Sequence, residues 1–485
     1  MNEQDKVEGV FSLPQRQHVL GVFRYFTRNA WLLIRSFWPA LAGLAISDSV
    51  RMYTGLVSVI VLIGLCAFAA LEHWRFTFKI DAGSLIIERG ILERERLVIP
   101  LDRIQTVHTE ELFWHRFFSL VGLRIDTAGS SGAEVELTAL KKDQASLLID
   151  VLSSAHHEPK AEVAPLIQLD WEKLFRIGLT QNHLRNAMIS FGAVVAVAEP
   201  LMEWVEQALD SLPTVWIWAF KFAWIFAVPL FGLFFLFTGL LVSLLGALLR
   251  YHRLTVRLTS SHLEMKGGFL KKFEFKLPLH KIQMLEGKSG ILQRLAGFQT
   301  VKIHQARSQS NADAGGVNVV IPGLSREEMA TLNSGIYKED CKSEALRLRP
   351  HSIWWVRRAV LFIAWSTIPL FLWPNFLVVL FVFAWAAWSI YSSVMLHRQM
   401  CLIVMPSELL FRSGWRVQLS RRIELRKLQR VTLRANWFMR KKGVSNVVLL
   451  TAAGPLTLPY VPSFQAKELR DKALFEIEST QVPWM

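Results

Sequence analysis

The chain has 485 residues, of which 52% are hydrophobic, 12% aromatic and only 20% charged. A soluble domain carries about 25% charged residues. The shortfall here is concentrated in a few long stretches, which excludes a disordered chain and points to a membrane protein. Three cysteines (Cys66, Cys341 and Cys401) cannot build a disulfide framework, so the polar parts are expected in a reducing compartment. The formal net charge of +15 fits nucleic acid, an anionic membrane surface or the orientation bias of cytoplasmic loops, and the position of the charges decides among them.

Residues 1–30 lack the apolar core and small-residue cleavage site of a signal peptide and read as a cytoplasmic N-terminal segment. Apolar runs then fall at residues 31–46, 54–71, 187–198, 214–249, 356–373 and 376–396. A span needs roughly 20 mostly apolar residues. The spacing predicts three transmembrane hairpins, at 31–71, 187–249 and 356–396, the middle one interrupted by Glu199-Pro200 and carrying Pro229 in its long second run. Between them lie polar segments at 74–155, 251–337 and 397–485, with linkers at 156–186 and 338–355. Residues 1–28, 72–186, 250–358 and 397–485 together hold all but three of the 55 Lys and Arg residues, the exceptions being Arg35, Arg51 and Lys221. The loop at 199–213 has no basic residue and carries Glu199, Glu203, Glu206 and Asp210. The positive-inside rule therefore predicts a multi-pass protein with both termini and all three polar segments in the cytoplasm.

The polar segments repeat. Residues 86–107, 264–285 and 410–431 align without gaps at offsets of 178 and 324. Gly90 matches Gly268 and Gly414, Leu101 matches Leu279 and Leu425, and Gln105 matches Gln283 and Gln429. The same offsets carry Arg116 onto Arg294 and Arg440. Internal repetition is the strongest signal in the chain. Each copy reads as short antiparallel strands (in the first copy 75–80, 85–89 and 97–101), a strand opening on Ile104-Gln105, a helical stretch at 111–118, two further strands at 123–127 and 134–137, and a polar helix at 141–154. The expected fold is mixed α and β: a transmembrane helix hairpin followed by a small β-barrel or sandwich closed by a C-terminal helix, three times over.

This order of elements, with the pattern Gly…Pro-Leu-x-Arg-Ile-Gln, resembles the bacterial pleckstrin-homology-like (PH-like) domain of YdbS/YdbT-type membrane proteins across nearly the whole chain. The copies depart from it in places: Pro100 and Pro278 correspond to Glu424, and Gly297 and Gly443 correspond to Ser119. The resemblance implies a bacterial inner-membrane protein without known enzymatic activity, with a role tied to the cell envelope. It also implies a shorter, one-unit paralogue as a partner.

No catalytic constellation stands out: there is no GxSxG, no GxGxxG and no candidate carboxylate pair. His108, His115 and the pair His156-His157 lack metal-ligand spacing, so no metal and no cofactor is expected. The stretch at 128–132 has the composition of a phosphate cradle but no following Lys-Ser/Thr, and reads as a hairpin loop. The repeated Ile-Gln reads as structural, with Gln hydrogen-bonded to a neighbouring strand or turn. Arg116, Arg294 and Arg440 fit two readings, a phosphate grip or a cap on the last carbonyls of the short helix. In the third copy Arg422, Arg426, Arg430 and Arg434 recur every four residues on a predicted strand, about 13 Å apart at 3.3 Å per residue. With Arg440, Lys441 and Lys442 they form a candidate contact for anionic lipid headgroups or an acidic partner, or else a solvated face. The copies differ in charge, at net −2 for 74–155, +6 for 251–337 and +9 for 397–485, so the first could dock against the third or against another protein. Nucleic acid is not expected, since no base-stacking aromatics interleave. The expected function is a non-enzymatic membrane scaffold that binds lipids, partner membrane proteins or further copies of itself. The alternative is a transporter or lipid-handling protein, which would need ionisable groups inside the membrane.

Overall fold

The structure is a computed structural model that describes residues 11–46, 48–91, 93–101, 104–127, 135–153, 164–181, 183–196, 214–305, 319–337, 346–368, 375–451 and 453–479. The loop at 128–132, His156, His157, the acidic loop at 199–213 and Cys341 lie outside these residues. In chain order, helices α1 (Val22–Ile46) and α2 (Asp48–Arg75) lead into β1 (Thr77–Asp81), β2 (Ser84–Arg89), β3 (Glu95–Pro100) and β4 (Ile104–Leu112). Helix α3 (Phe113–Phe117), β5 (Leu120–Thr127), β6 (Val135–Lys141) and α4 (Lys142–Ser153) complete the first copy. The second copy is introduced by β7 (Ile167–Gln168), α5 (Trp171–Leu179), α6 (His183–Ala196) and α7 (Thr214–Tyr251). It continues through β8 (Thr255–Leu258), β9 (His262–Gly267), β10 (Lys271–Pro278), β11 (Ile282–Ser289), α8 (Ile291–Leu295), β12 (Gln299–Gln305), β13 (Val319–Leu324) and α9 (Arg326–Ile336). The third comprises β14 (Leu346–Leu348), α10 (Ile353–Ser366), α11 (Phe376–Gln399), β15 (Cys401–Val404), β16 (Glu408–Ser413) and β17 (Gln418–Glu424). It ends with β18 (Leu428–Arg434), α12 (Trp437–Lys441), β19 (Val444–Thr451), β20 (Gly454–Pro462) and α13 (Ser463–Ser479). The stretches expected as linkers thus hold β7, α5 and β14, and β7 and β14 pair with the first strand of the following copy.

Chain contacts divide the molecule into two compact units, chiefly Met1–Ala164 with Glu264–Leu277, and Pro165–Leu263 with Pro278–Arg307 and Asn311–Met485. In the first unit α1 packs on α2, and β1-β2-β3 form a three-stranded antiparallel sheet. Strands β4, β5 and β6 form a second sheet, to which β10 adds beside β4. Alternation along the strands explains the layering: β6 buries Val135, Leu137 and Ala139 and turns Glu136 and Thr138 outward. Val135 and Leu137, with Phe78, Leu85, Ile99 and Leu148 of α4, fill one core between the two sheets. The copy is therefore a sandwich of two half-sheets and a helix, and its third and fourth strands do not pair with each other.

The second unit repeats this plan. Its seven-stranded sheet runs β13-β12-β11-β17-β16-β15-β14, and β18-β19-β20 form a separate three-stranded sheet. Leu402, Ile423, Leu449 and Leu458 from both sheets pack with Leu469 of α13. Helix pairs α6–α7 and α10–α11 lie together, as do α5 and α7. Among the described residues two helical stretches, Pro229–Tyr251 and Phe376–Gln399, are long and apolar enough to cross a membrane, with 22% and 17% of their apolar windows buried. Leu233, Phe237, Phe381 and Phe383 face outward from them. Large apolar side chains turned away from the protein over such a length suit a hydrocarbon solvent. Pro229 sits within α7 without ending it.

Candidate functional site

The repeated residues do their work where one copy meets the next. Gly90, Gly268 and Gly414 take φ of +106°, +100° and +83° in the turn before the third strand of each copy. A Cβ there would lie 1.9, 2.0 and 2.0 Å from the carbonyl oxygens of Glu93, Lys271 and Val417. Only glycine fits, for both conformational and steric reasons. The repeated glutamine has another role. Pairing slips between Ile104 and Thr106, Ile282 and Met284, and Leu428 and Arg430, so Gln105, Gln283 and Gln429 are each the extra residue of a β-bulge. Gln283 is buried, and its amide has no hydrogen-bond partner among the described residues, contrary to the expected strand or turn contact. Gln429 is exposed, and the Gln105 side chain lies outside what the structure describes.

The fourth strand of one copy pairs, antiparallel, with the third strand of the next. In the first unit β4 receives β10, with Phe273 opposite Glu110 and Glu274 opposite Thr109. In the second unit β11 receives β17, with Glu286 opposite Arg421 and Leu285 opposite Arg422. In first-copy positions the first junction sets 95 against 110 and 96 against 109, and the second sets 97 against 108 and 98 against 107. The two junctions share one register.

Opposite charges line both junctions. Lys271 Nζ lies 2.6 Å from Glu110 Oε2, and Arg421 Nε lies 2.7 Å from Glu286 Oε2. His304, 3.7 Å away and so outside hydrogen-bond range, and Arg421, bonded directly, together hold the Glu286 carboxyl down to about 2. Tyr337 Oη donates to Arg422 O at 2.8 Å, and Lys427 Nζ donates to Ile282 O at 2.7 Å.

The repeated arginine closes each junction. Arg116 Nη2 donates to Phe269 O in the glycine turn of the second copy. Arg294 Nη2 donates to Trp415 O, 3.1 Å away, in the glycine turn of the third. Phe269 and Trp415 both correspond to Ile91. Neither side chain caps its own helix as one sequence reading had it; each reaches a carbonyl of the next copy. Arg440 stands at the same position in the third copy, and it is exposed.

The arginine row does not form the single strand expected. Arg422 lies on β17, Arg426 in the 3₁₀ turn Leu425–Lys427, and Arg430 and Arg434 on β18. The chain turns a corner between the sheets, so a four-residue spacing along one strand has no meaning there. Arg422 is 7% exposed, bonds Glu408 through Nε and stacks 4.6 Å over Tyr337. Arg426 and Lys427 bond Glu424. Arg430, Arg434, Arg440, Lys441 and Lys442 remain exposed.

A further feature went unread in the sequence. The short helix of every copy opens on an exposed large apolar residue: Phe113, Ile291 and Trp437. Phe117 and Leu295, one turn on, are 80% and 81% exposed. In the first unit Trp114 packs edge-on against Phe23 at the start of α1, ring centres 5.6 Å apart. In the second unit Phe438 lies 5.9 Å from the Arg357 guanidinium near the start of α10. The signal was available as Phe113-Trp114 and Trp437-Phe438 at matching positions.

His108 and His115 are both buried, and burial holds the His115 imidazole below its usual range. Among the described residues no group of three His, Cys, Asp or Glu could hold a metal. A polar recess lined by Arg24, Glu110, His115, Arg124 and Glu136 has its charges matched, Arg24 to Glu136 and Lys271 to Glu110. The family described as Bacterial PH domain matches residues 29–156, 211–340 and 358–474. The UPF0699 transmembrane protein YdbT of Bacillus subtilis (strain 168) is 24% identical over 387 residues, covering 74% of this chain and 77% of that protein.

Proposed function

We propose that this chain, which belongs to the bacterial PH domain family, is a non-enzymatic, multi-pass scaffold of the bacterial inner membrane whose PH-like copies rest on the cytoplasmic leaflet. The observation that carries the reading is the short helix after β4, β11 and β18. In the first and third copies it packs against the opening turns of the preceding long helix, through Trp114–Phe23 and Phe438–Arg357. It therefore belongs at the level where that helix enters the bilayer. Its exposed aromatic and aliphatic residues suit the headgroup region, where such side chains are enriched. In the third copy Lys441 stacks 3.9 Å over Trp437, beside Arg440 and Lys442, a pairing of ring and cation suited to anionic headgroups. The cytoplasmic placement rests on the distribution of Lys and Arg. The scaffold role is supported by the use made of the repeated residues: they build turns, bulges and junctions, and none of them converges on an open pocket.

The test is an environment-sensitive fluorophore on a cysteine replacing Trp437, in the full chain with Cys66, Cys341 and Cys401 changed to Ser, reconstituted in vesicles with and without anionic lipid. The expected result is a blue-shifted emission that brominated lipid quenches, more strongly with anionic lipid. Emission as in water, unaffected by brominated lipid, would overturn the reading.

A further inference from the structure

Two sheet edges in this molecule lack the partner that their counterparts have. Strand β3 is an edge of the sheet β1-β2-β3, and β18 is an edge of the sheet β18-β19-β20. In the second and third copies the strands equivalent to β3, namely β10 and β17, are covered by the fourth strand of the copy before. In the first two copies the strands equivalent to β18, namely β4 and β11, are covered by the third strand of the copy after. Among the described strands, the third strand of the first copy and the fourth strand of the third copy are the two of this kind left without that pairing.

We infer that β18 of one molecule pairs antiparallel with β3 of a second copy of this chain, in the register of the two internal junctions, so that molecules join head to tail. The occupant follows from the interface itself: the two halves of a junction this molecule makes twice are both present and both open. Continuing the shared ladder sets Val431 opposite Val98, Thr432 opposite Leu97 and Arg434 opposite Glu95. Arg434 and Glu95 are both exposed, and they place an opposite-charge pair in the ladder two positions along from the one that Glu286 and Arg421 form at the second junction. Arg440 then meets the carbonyl of Ile91 on the second copy, the counterpart of the bonds Arg116 makes to Phe269 and Arg294 to Trp415. The charges agree, with the third segment at net +9 and the first at net −2. Strand addition at an open edge is a general mode of recognition, and a heterologous contact of this kind propagates into a ring or a row. The inference rests on the repeat geometry and is independent of lipid binding.

The test uses the full chain in its membrane, with Cys66, Cys341 and Cys401 changed to Ser. One copy carries Val98→Cys and a differently tagged copy carries Val431→Cys. Cα atoms across an antiparallel pair lie about 4.5–5.5 Å apart, within disulfide reach. Mild oxidation is expected to yield a dimer bearing both tags, with little product from either variant alone. Moving the second cysteine to Thr432→Cys turns it to the other face and should cut the yield several-fold. Adding Arg440→Gln should lower the mixed dimer about tenfold, the scale of one charged hydrogen bond. Absence of the mixed dimer from chains that resist protease like the unsubstituted protein would overturn the inference. So would equal yields from Val98→Cys alone. A chain carrying both cysteines that oxidises only to a monomer of altered mobility would show the two edges closing on each other, and would overturn it as well. None of these results bears on the fluorophore at Trp437, so the two proposals fail separately.

Discussion

Replacing Glu286 with Gln tests how the second junction is held. The Glu286 carboxyl is lowered from 4.5 to about 2 by its cationic neighbours. At about 1.4 kcal/mol per unit this corresponds to a ceiling of roughly 3 kcal/mol favouring the paired, ionised form. Glu286 and Arg421 keep 15% and 25% of their side-chain surface exposed, and solvent screening brings the expected value to about 2 kcal/mol. The folded carboxyl ionises more easily than the unfolded one, so this stabilisation is complete above pH 4.5 and is lost as pH falls toward about 2. Glu286→Gln imitates the protonated form at neutral pH. Hydrogen exchange of the full chain in mild detergent reads local opening directly, strand by strand. Peptides covering β11 and β17 are expected to exchange roughly 30-fold faster in the variant, with α4 and β5 unchanged. Arg421→Gln should give a smaller increase, because His304 remains beside the carboxylate, and the double variant little more than Glu286→Gln alone, because Arg421 acts there through Glu286. Exchange at β11 within twofold of the unsubstituted protein would refute the ion pair as the support of this junction.

Two further outcomes are expected. Ser119 takes φ of +50° where Gly297 and Gly443 take +78° and +64° with open space around them, so Ser119→Gly should stabilise the first copy by about 1 kcal/mol, read as slower global exchange of β5 and β6. A single cysteine placed at Glu203 should react with an impermeant thiol reagent in intact cells while Cys341 stays protected, and labelling of Cys341 would overturn the cytoplasmic placement of the copies.

The elements of each copy were legible because they occur three times. Observed strands and helices of the first copy begin and end within four residues of the spans read from sequence. Which strand pairs with which was not legible. Alternation of apolar and polar residues states which face of a strand is buried, and it is silent about the neighbour across the hydrogen bonds. Glu110 and Glu111 against Lys271 and Lys272 held a hint of the first junction, visible only once the pairing is known. The repeated arginine fits a phosphate or its own helix in the sequence, because a sequence supplies no neighbour other than the local one. The arginine row had contrary evidence in the repeat itself. Pro100 and Pro278 close the third strand of the first two copies, and a 3₁₀ turn follows at Leu279–Lys281. Glu424-Leu425 is the same corner without its proline, so Arg422 and Arg430 had to lie on different strands.

The charges on the two open edges bear on what those edges exclude. An uncovered strand is a template for unwanted pairing, and proteins guard such edges with charged residues. Here the guards differ between edges. If two β18 strands paired antiparallel about Thr432, Arg430 of each would face Arg434 of the other, two like-charge contacts that each cost on the order of 0.2–1 kcal/mol. Arg440 of both molecules would be left without the glycine-turn carbonyl that Arg116 and Arg294 use. Pairing β18 with β3 turns the same Arg434 toward Glu95, which Arg89 now holds at 2.8 Å. The exchange replaces one exposed ion pair with another and so adds little attraction of its own. Its effect is selective: it removes the repulsion that blocks like edges while leaving the backbone ladder and the valine pair to supply affinity. Assembly by this route should weaken only modestly as salt rises, since screening acts on the charges beyond about 10 Å at 0.1 M and leaves the strand hydrogen bonds untouched.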